Sequence, residues 1–118
     1  MSLRVCVIAG IVFLALGAVA QAHAHLSLSA PAAGDTFAVA PNEASLSFTE
    51  DLEPAFSTVT VTDANGARVD EGKPLISGST MRVALKPLGP GSYNVHWRAV
   101  SVDTHTTEGN FSFTVRGS

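Results

Sequence analysis

Four histidines and a few carboxylates are the residues of this chain whose type and spacing could do chemistry. His23 and His25 stand in "AQAHAHLSLSA", His96 in "NVHWR", and His105 two residues after Asp103 in "SVDTHTTEGN". Imidazole beside carboxylate is donor chemistry for a divalent metal ion. If the strand that starts near Tyr93 runs on to 105, residues two apart project to one side, and Asp103 and His105 point together from the end of a sheet. A D-x-H in a loop also has an ordinary reading, as a surface turn whose Asp accepts turn hydrogen bonds. His96 alternates against Trp97, so it faces away from the core and reads as a solvated residue. The run "EDLE" at 50–53 reads most simply as a charged loop, with Glu50 as the member that could lie near a site.

What the first two histidines can do depends on where the mature chain begins. The opening "MSLRVCVIAGIVFLALGAVAQAHA" has one charge, Arg4, and is almost wholly apolar from Val5 to Ala20. As a helix that run is about 24 Å long, short of the roughly 20 residues that cross a bilayer core. A basic start, an apolar centre and a small-x-small ending are the parts of a secretory signal peptide. The expected division is a signal peptide over 1–22 and a mature domain over 23–118. A cut after Ala24, leaving His25 first, obeys the same small-residue rule. An uncleaved anchor is the alternative, although no stop-transfer charges follow the run. Cys6 leaves with the signal.

A histidine at a mature N-terminus offers both its α-amine, with a pKa of about 7.7–8.0, and its ring to one ion. With the His105 ring that makes three nitrogens, and Asp103 or water supplies an oxygen. Such a tetragonal N,O set suits Cu(II), which also heads the divalent affinity order; Zn(II) prefers a tetrahedron. A second mode competes for the same amine. In His23-Ala24-His25 the third-position imidazole, the amine and two deprotonated amides form a square-planar Cu(II) or Ni(II) site that needs no fold and ignores His105.

Composition narrows the partners. Without Arg4, six basic residues face ten acidic ones, a net charge of −4. That argues against nucleic acid or an anionic membrane surface, both of which require basic patches. The mature chain has no cysteine. Disulfides and a blue-copper thiolate centre are therefore excluded.

The elements that must position these residues are short alternating runs: "HLSLSA", "ASLSFT", "STVTVTD", "MRVALK", "SYNVHWRAV" and "NFSFTV", with prolines and glycines between them. Period-two alternation gives each strand one buried face. About seven such strands in fewer than 100 residues predict an all-β, Greek-key β-sandwich of immunoglobulin-like or cupredoxin-like type. Trp97, Phe48, Phe111 and Phe113 are the expected largest core residues, and Thr106–Gly109 the expected turn into the last strand.

The motifs resemble a known family. "HAHLSLSAPAAGDTF", "LSFTEDLEPAFSTVTVTD" and above all "GPGSYNVHWRAVSVDTHTTEGNFSFTV" resemble, in order and spacing, the CopC-type copper-resistance proteins of the bacterial periplasm. The resemblance covers nearly all of the mature chain. It implies a periplasmic sandwich, not an enzyme, that binds one Cu(II) per chain as a carrier or buffer in copper homeostasis. It implies His23, Asp103 and His105 as ligands, Glu50 as an acidic neighbour, a cut after Ala22, and His25 as a non-ligand. It also suggests a membrane copper transporter of the CopD type as partner. Two departures stand out. The middle of the chain offers only Met81, too few thioethers for the Cu(I)-binding loop of some members, and His96 replaces an acidic residue. Two other classes remain in view: a copper oxygenase built on an N-terminal histidine, and a metal-free immunoglobulin-like interaction module.

Overall fold

The computed structural model describes residues 24–117; the expected signal peptide and His23 lie outside the described residues. The described residues hold strands and no helix, in the order β1 (Leu26–Ala30), β2 (Thr36–Phe37), β3 (Glu43–Phe48), β4 (Thr58–Asp63), β5 (Asp70–Ser77), β6 (Thr80–Leu85), β7 (Gly91–Val100) and β8 (Thr106–Val115). One sheet runs β1-β3-β6-β5 and the other β2-β8-β7-β4. Only β5–β6 and β7–β8 are hairpins within a sheet; the other connections cross between the two sheets, as a Greek-key sandwich requires.

Alternation explains the core. Ala44, Leu46 and Phe48 of β3, Met81, Val83 and Leu85 of β6, Val59 and Val61 of β4, and Tyr93, Val95, Trp97 and Ala99 of β7 are all buried. Phe48 from one sheet meets Trp97 from the other edge to face, with ring centroids 5.1 Å apart. Phe113 stacks on Tyr93 at 5.4 Å. Phe111, expected among the largest core residues, is only half-buried.

The expected sandwich of about seven strands has eight, of which β2 and β5 correspond to none of the alternating runs. The polar stretch at β5 contains Gly72 and Pro74, which read as turn residues. It forms a strand because it lies at the sheet edge and pairs only with β6. Its register shifts between Glu71 and Leu75, so Pro74 falls where no ladder donor is needed. In β1 the register against β3 also shifts, between Leu26 and Leu28. That bulge breaks the expected alternation and leaves Leu28 70% exposed.

One buried carboxylate ties the two sheets together at the β4–β5 corner. Asp70 Oδ1 accepts from the Val61 amide at 2.9 Å and from Arg68 Nε at 2.7 Å, and Oδ2 accepts from Arg68 Nη2 at 2.6 Å. Burial would push this carboxyl up, but the Arg68 hydrogen bond, the Val61 N–H and the Arg68 charge together hold it below its ordinary value. A carboxyl depressed in the folded state contributes stability that is complete above its unfolded pKa of about 3.9 and is lost as pH falls through the lower folded value. Arg68 is largely in water, so the contribution rests on Asp70's bonds. Asp70→Asn should therefore cost about 2 kcal/mol in urea unfolding at pH 7. The gap to the unmutated protein should narrow below pH 3; a gap of equal size at both pH values refutes the assignment.

Candidate metal centre

The D-x-H motif does not lie on a strand. β7 ends at Val100 and β8 begins at Thr106, so Ser101–His105 is the hairpin loop between them. Thr106–Gly109, expected as the turn, instead pairs with Val100–Trp97. Local composition suggested a turn, and cross-strand pairing overrode it. The loop is closed by Ser101 N–H donating to His105 O at 2.9 Å and Thr104 N–H donating to Ser101 O at 2.8 Å. Thr104 sits at φ 73°, a left-handed conformation that β-branched residues rarely adopt. Such strain persists only where surrounding structure fixes it, and it clusters at functional sites. Here the fixing comes from the 51–53 segment: Val102 N–H donates to Asp51 O at 3.1 Å, and Glu53 N–H to Val100 O at 2.7 Å.

Inside this loop His105 Nδ1 lies 3.3 Å from Asp103 Oδ1, both side chains about half exposed. The buried Ser101 hydroxyl donates to the same Oδ1. Ser101's hydrogen bond is the main cause that holds the Asp103 carboxyl below its ordinary value; desolvation opposes it, and the His105 hydrogen bond and charge add to the lowering. The pair is thus an ionised carboxylate and an accessible imidazole, a donor set that fits a divalent cation.

The start of β1 is held at the same end of the sandwich. Ala24 is fully buried, and its carbonyl accepts from Thr107 Oγ1 at 2.7 Å, across 83 residues of sequence and between the two sheets. β2 pairs only with residues 114–115 of β8, so the early half of β8 is an open edge on which this segment can lean. His25 N–H donates to Thr49 Oγ1 at 2.9 Å, and Thr49 N–H donates back to His25 O at 2.9 Å.

The expected ligands are therefore distributed as follows. Asp103 and His105 are together. His23 lies outside the described residues, directly upstream of the anchored Ala24. Glu50 follows Thr49 and is exposed, as is His25. Among the described residues no three His, Cys, Asp or Glu side chains are grouped to hold a metal ion, so neither Glu50 nor His25 completes a set with the pair. His96 is elsewhere, on the outer face of β7, with Nδ1 3.0 Å from Asn110 Oδ1. Met81 is fully buried in the core. Sequence reasoning missed Ser101, Thr107 and Thr49; the only available signal was a serine two residues before Asp103.

An all-β sandwich with a carboxylate–imidazole pair in its β7–β8 hairpin, beside the start of its first strand, defines the class. The chain belongs to the CopC family, whose CopC domain matches residues 26–116. It is 39% identical over 106 residues to the copper resistance protein C of Xanthomonas campestris pv. juglandis, covering 82% of this chain and 83% of that one. It superposes on the crystal structure of CopC from Methylosinus trichosporium OB3b with a TM-score of 0.71 at 32% identity, over 80% of this chain and 94% of that one. It is also 34% identical over 98 residues to part of the copper transport protein CutJ of Bacillus subtilis, 80% of this chain but 18% of that longer protein.

Proposed function

We propose that the processed chain is a periplasmic Cu(II) carrier or buffer. It holds one ion through the amine and ring of His23 together with Asp103 and His105. The observation that carries this reading is the Asp103–His105 pair in a hairpin whose next residues anchor Ala24, at 2.7 Å from Thr107. One residue separates that anchor from the terminal amine of a chain cut after Ala22. A cut after Ala24 would remove a buried residue and its carbonyl bond.

The same geometry disfavours the three-residue mode. That mode needs the His25 amide as a deprotonated ligand, whereas here the His25 N–H donates to Thr49. Nitrogen-rich donors with one carboxylate favour Cu(II), and a core-buried Met81 offers no thioether for Cu(I). An anionic oxygen beside the ion holds copper oxidised, which suits carriage and opposes redox turnover. Similarity to part of the longer copper transport protein CutJ supports a membrane copper transporter of the CopD type as the partner that receives the ion.

Mass spectrometry of the secreted protein should find His23 first, and that form should bind one Cu(II) tightly by calorimetry. A variant that retains a single glycine ahead of His23 moves the amine out of place and should bind at least tenfold more weakly. Equal affinity of the two forms, or no tight binding by either, defeats the reading.

A further inference from the structure

We propose that Ser101 is the positioning residue of this metal centre: its hydroxyl fixes the Asp103 carboxylate against the His105 ring and so sets how tightly and in what geometry copper is held. The inference rests on the Cu(II) reading above and adds a residue that touches no metal in it.

Ser101 is 1% exposed although its loop neighbours are exposed. Its single hydroxyl proton goes to Asp103 Oδ1, which leaves the oxygen to accept the His105 amide at 3.3 Å. Ser101 thus contacts both members of the pair, one through its side chain and the other through its backbone. The carboxylate oxygen it holds is also the one facing His105 Nδ1 at 3.3 Å. Asp103 is about half exposed and is also contacted by His105, so the Ser101 hydroxyl is a second restraint on two side-chain torsions that water would otherwise loosen. Fixing them in the folded protein removes an entropic cost from ion binding.

A purely structural role for the hydroxyl fits less well. The turn is already closed by Ser101 N–H to His105 O and Thr104 N–H to Ser101 O, and its flank by Glu53 N–H to Val100 O. These backbone bonds do not use the hydroxyl, whose own turn contacts, to the His105 carbonyl and from the His105 amide, are both long at 3.3 Å. Its loss should leave the loop's path in place and release the carboxylate.

The test is Ser101→Ala in the processed protein, read by chelator competition for Cu(II) and by the electron paramagnetic resonance spectrum of the bound ion. Outer partners that orient a metal ligand typically contribute 10–100-fold to affinity, and a loss in that range is expected with an altered or mixed spectrum. The unfolding midpoint of the copper-free protein should move by only a few degrees. Ser101→Thr, which keeps the hydroxyl, should restore the spectrum. In an Asp103→Ala background, Ser101→Ala should cost nothing further, because the group it positions is gone.

Unchanged affinity and spectrum in Ser101→Ala overturn the proposal, as does a full additional loss in the Asp103→Ala background. Unmutated protein that binds no copper overturns the carrier reading and this one with it, whereas tight binding by both unmutated protein and Ser101→Ala overturns this one alone. If the alanine variant does not fold, nuclear magnetic resonance of the copper-free unmutated protein decides. A Ser101 hydroxyl proton that exchanges slowly there and rapidly in Asp103→Ala supports the proposal, and one that exchanges alike in both overturns it.

Discussion

Replacing His105 by alanine should weaken Cu(II) binding by at least about 100-fold in protein that begins at His23. Loss of an outer partner alone typically costs 10–100-fold, and removal of a ligand should exceed it. The substitution is informative because the loop does not depend on the ring. His105 contributes its carbonyl to Ser101 N–H and its amide to Ser101 Oγ, and both survive in alanine. What disappears is the imidazole 3.3 Å from Asp103. The rival in which His25 serves as third-position ligand predicts almost no change. That rival must break the His25 N–H bond to Thr49 and displace Ala24 from its buried position. Chelator competition separates the two by a factor far larger than its error. An affinity within threefold of the unmutated protein would transfer the ion to the N-terminal tripeptide and leave the folded site without a role.

The sandwich was legible wherever one face of a strand is buried against the other sheet. Ala44-Leu46-Phe48 and Tyr93-Val95-Trp97-Ala99 announce themselves because the pleat puts every second residue in the core. Among the edge strands β4 keeps this signature and β5 does not. β5 pairs on one side only and places mainly polar residues in water, so Gly72 and Pro74 dominate its appearance. The bulge in β1 turns Leu28 outward through a register shift that depends on β3, where its partner Ser47 lies 19 residues along the chain (47 − 28), and local alternation cannot encode it.

At the site, residue type was the stronger guide and local geometry the weaker one. Asp103 and His105 were visible as a donor pair at two-residue spacing, and the structure joins them. It does so by a strained hairpin loop rather than by a strand's alternation. The hydroxyls that bond to Asp103 and to Ala24 were hard to see for a simple reason. Serine and threonine fill many outward strand positions here, as in Thr58, Thr60 and Thr62 of β4. Apart from Ser101's place two residues before Asp103, nothing in the sequence separates those from Ser101 or Thr107, whose partners lie in a turn or just ahead of β1.

Gly109→Ala should be the most destabilising single methyl in the described fold. Gly109 pairs across the hairpin with Trp97. A Cβ built there would stand 2.5 Å from Trp97 Cζ2, 2.7 Å from Cε2 and 2.9 Å from Nε1, closer than real Cβ atoms approach. The ring cannot retreat easily, since Phe48 meets it at 5.1 Å and Trp97 is itself buried. Glycine inside a strand ordinarily weakens it, so its presence at this position marks close approach rather than indifference. Overpacking of this kind costs about 1–3 kcal/mol and sometimes more, against a total stability of roughly 5–15 kcal/mol for a domain. At about 4–8 °C per kcal/mol, the melting temperature should fall by roughly 4–24 °C. Far-ultraviolet circular dichroism follows it in every variant, including those that lack the chain's single tryptophan. The effect should also reach the proposed copper site, because a displaced β8 carries Thr107, and with it the bond that anchors Ala24. Trp97→Phe removes the indole Nε1 and the ring atoms around it. In that background Gly109→Ala should cost at least 1 kcal/mol less than in the unmutated protein. Equal costs in the two backgrounds would mean that the strand, and not the indole, is what demands glycine there.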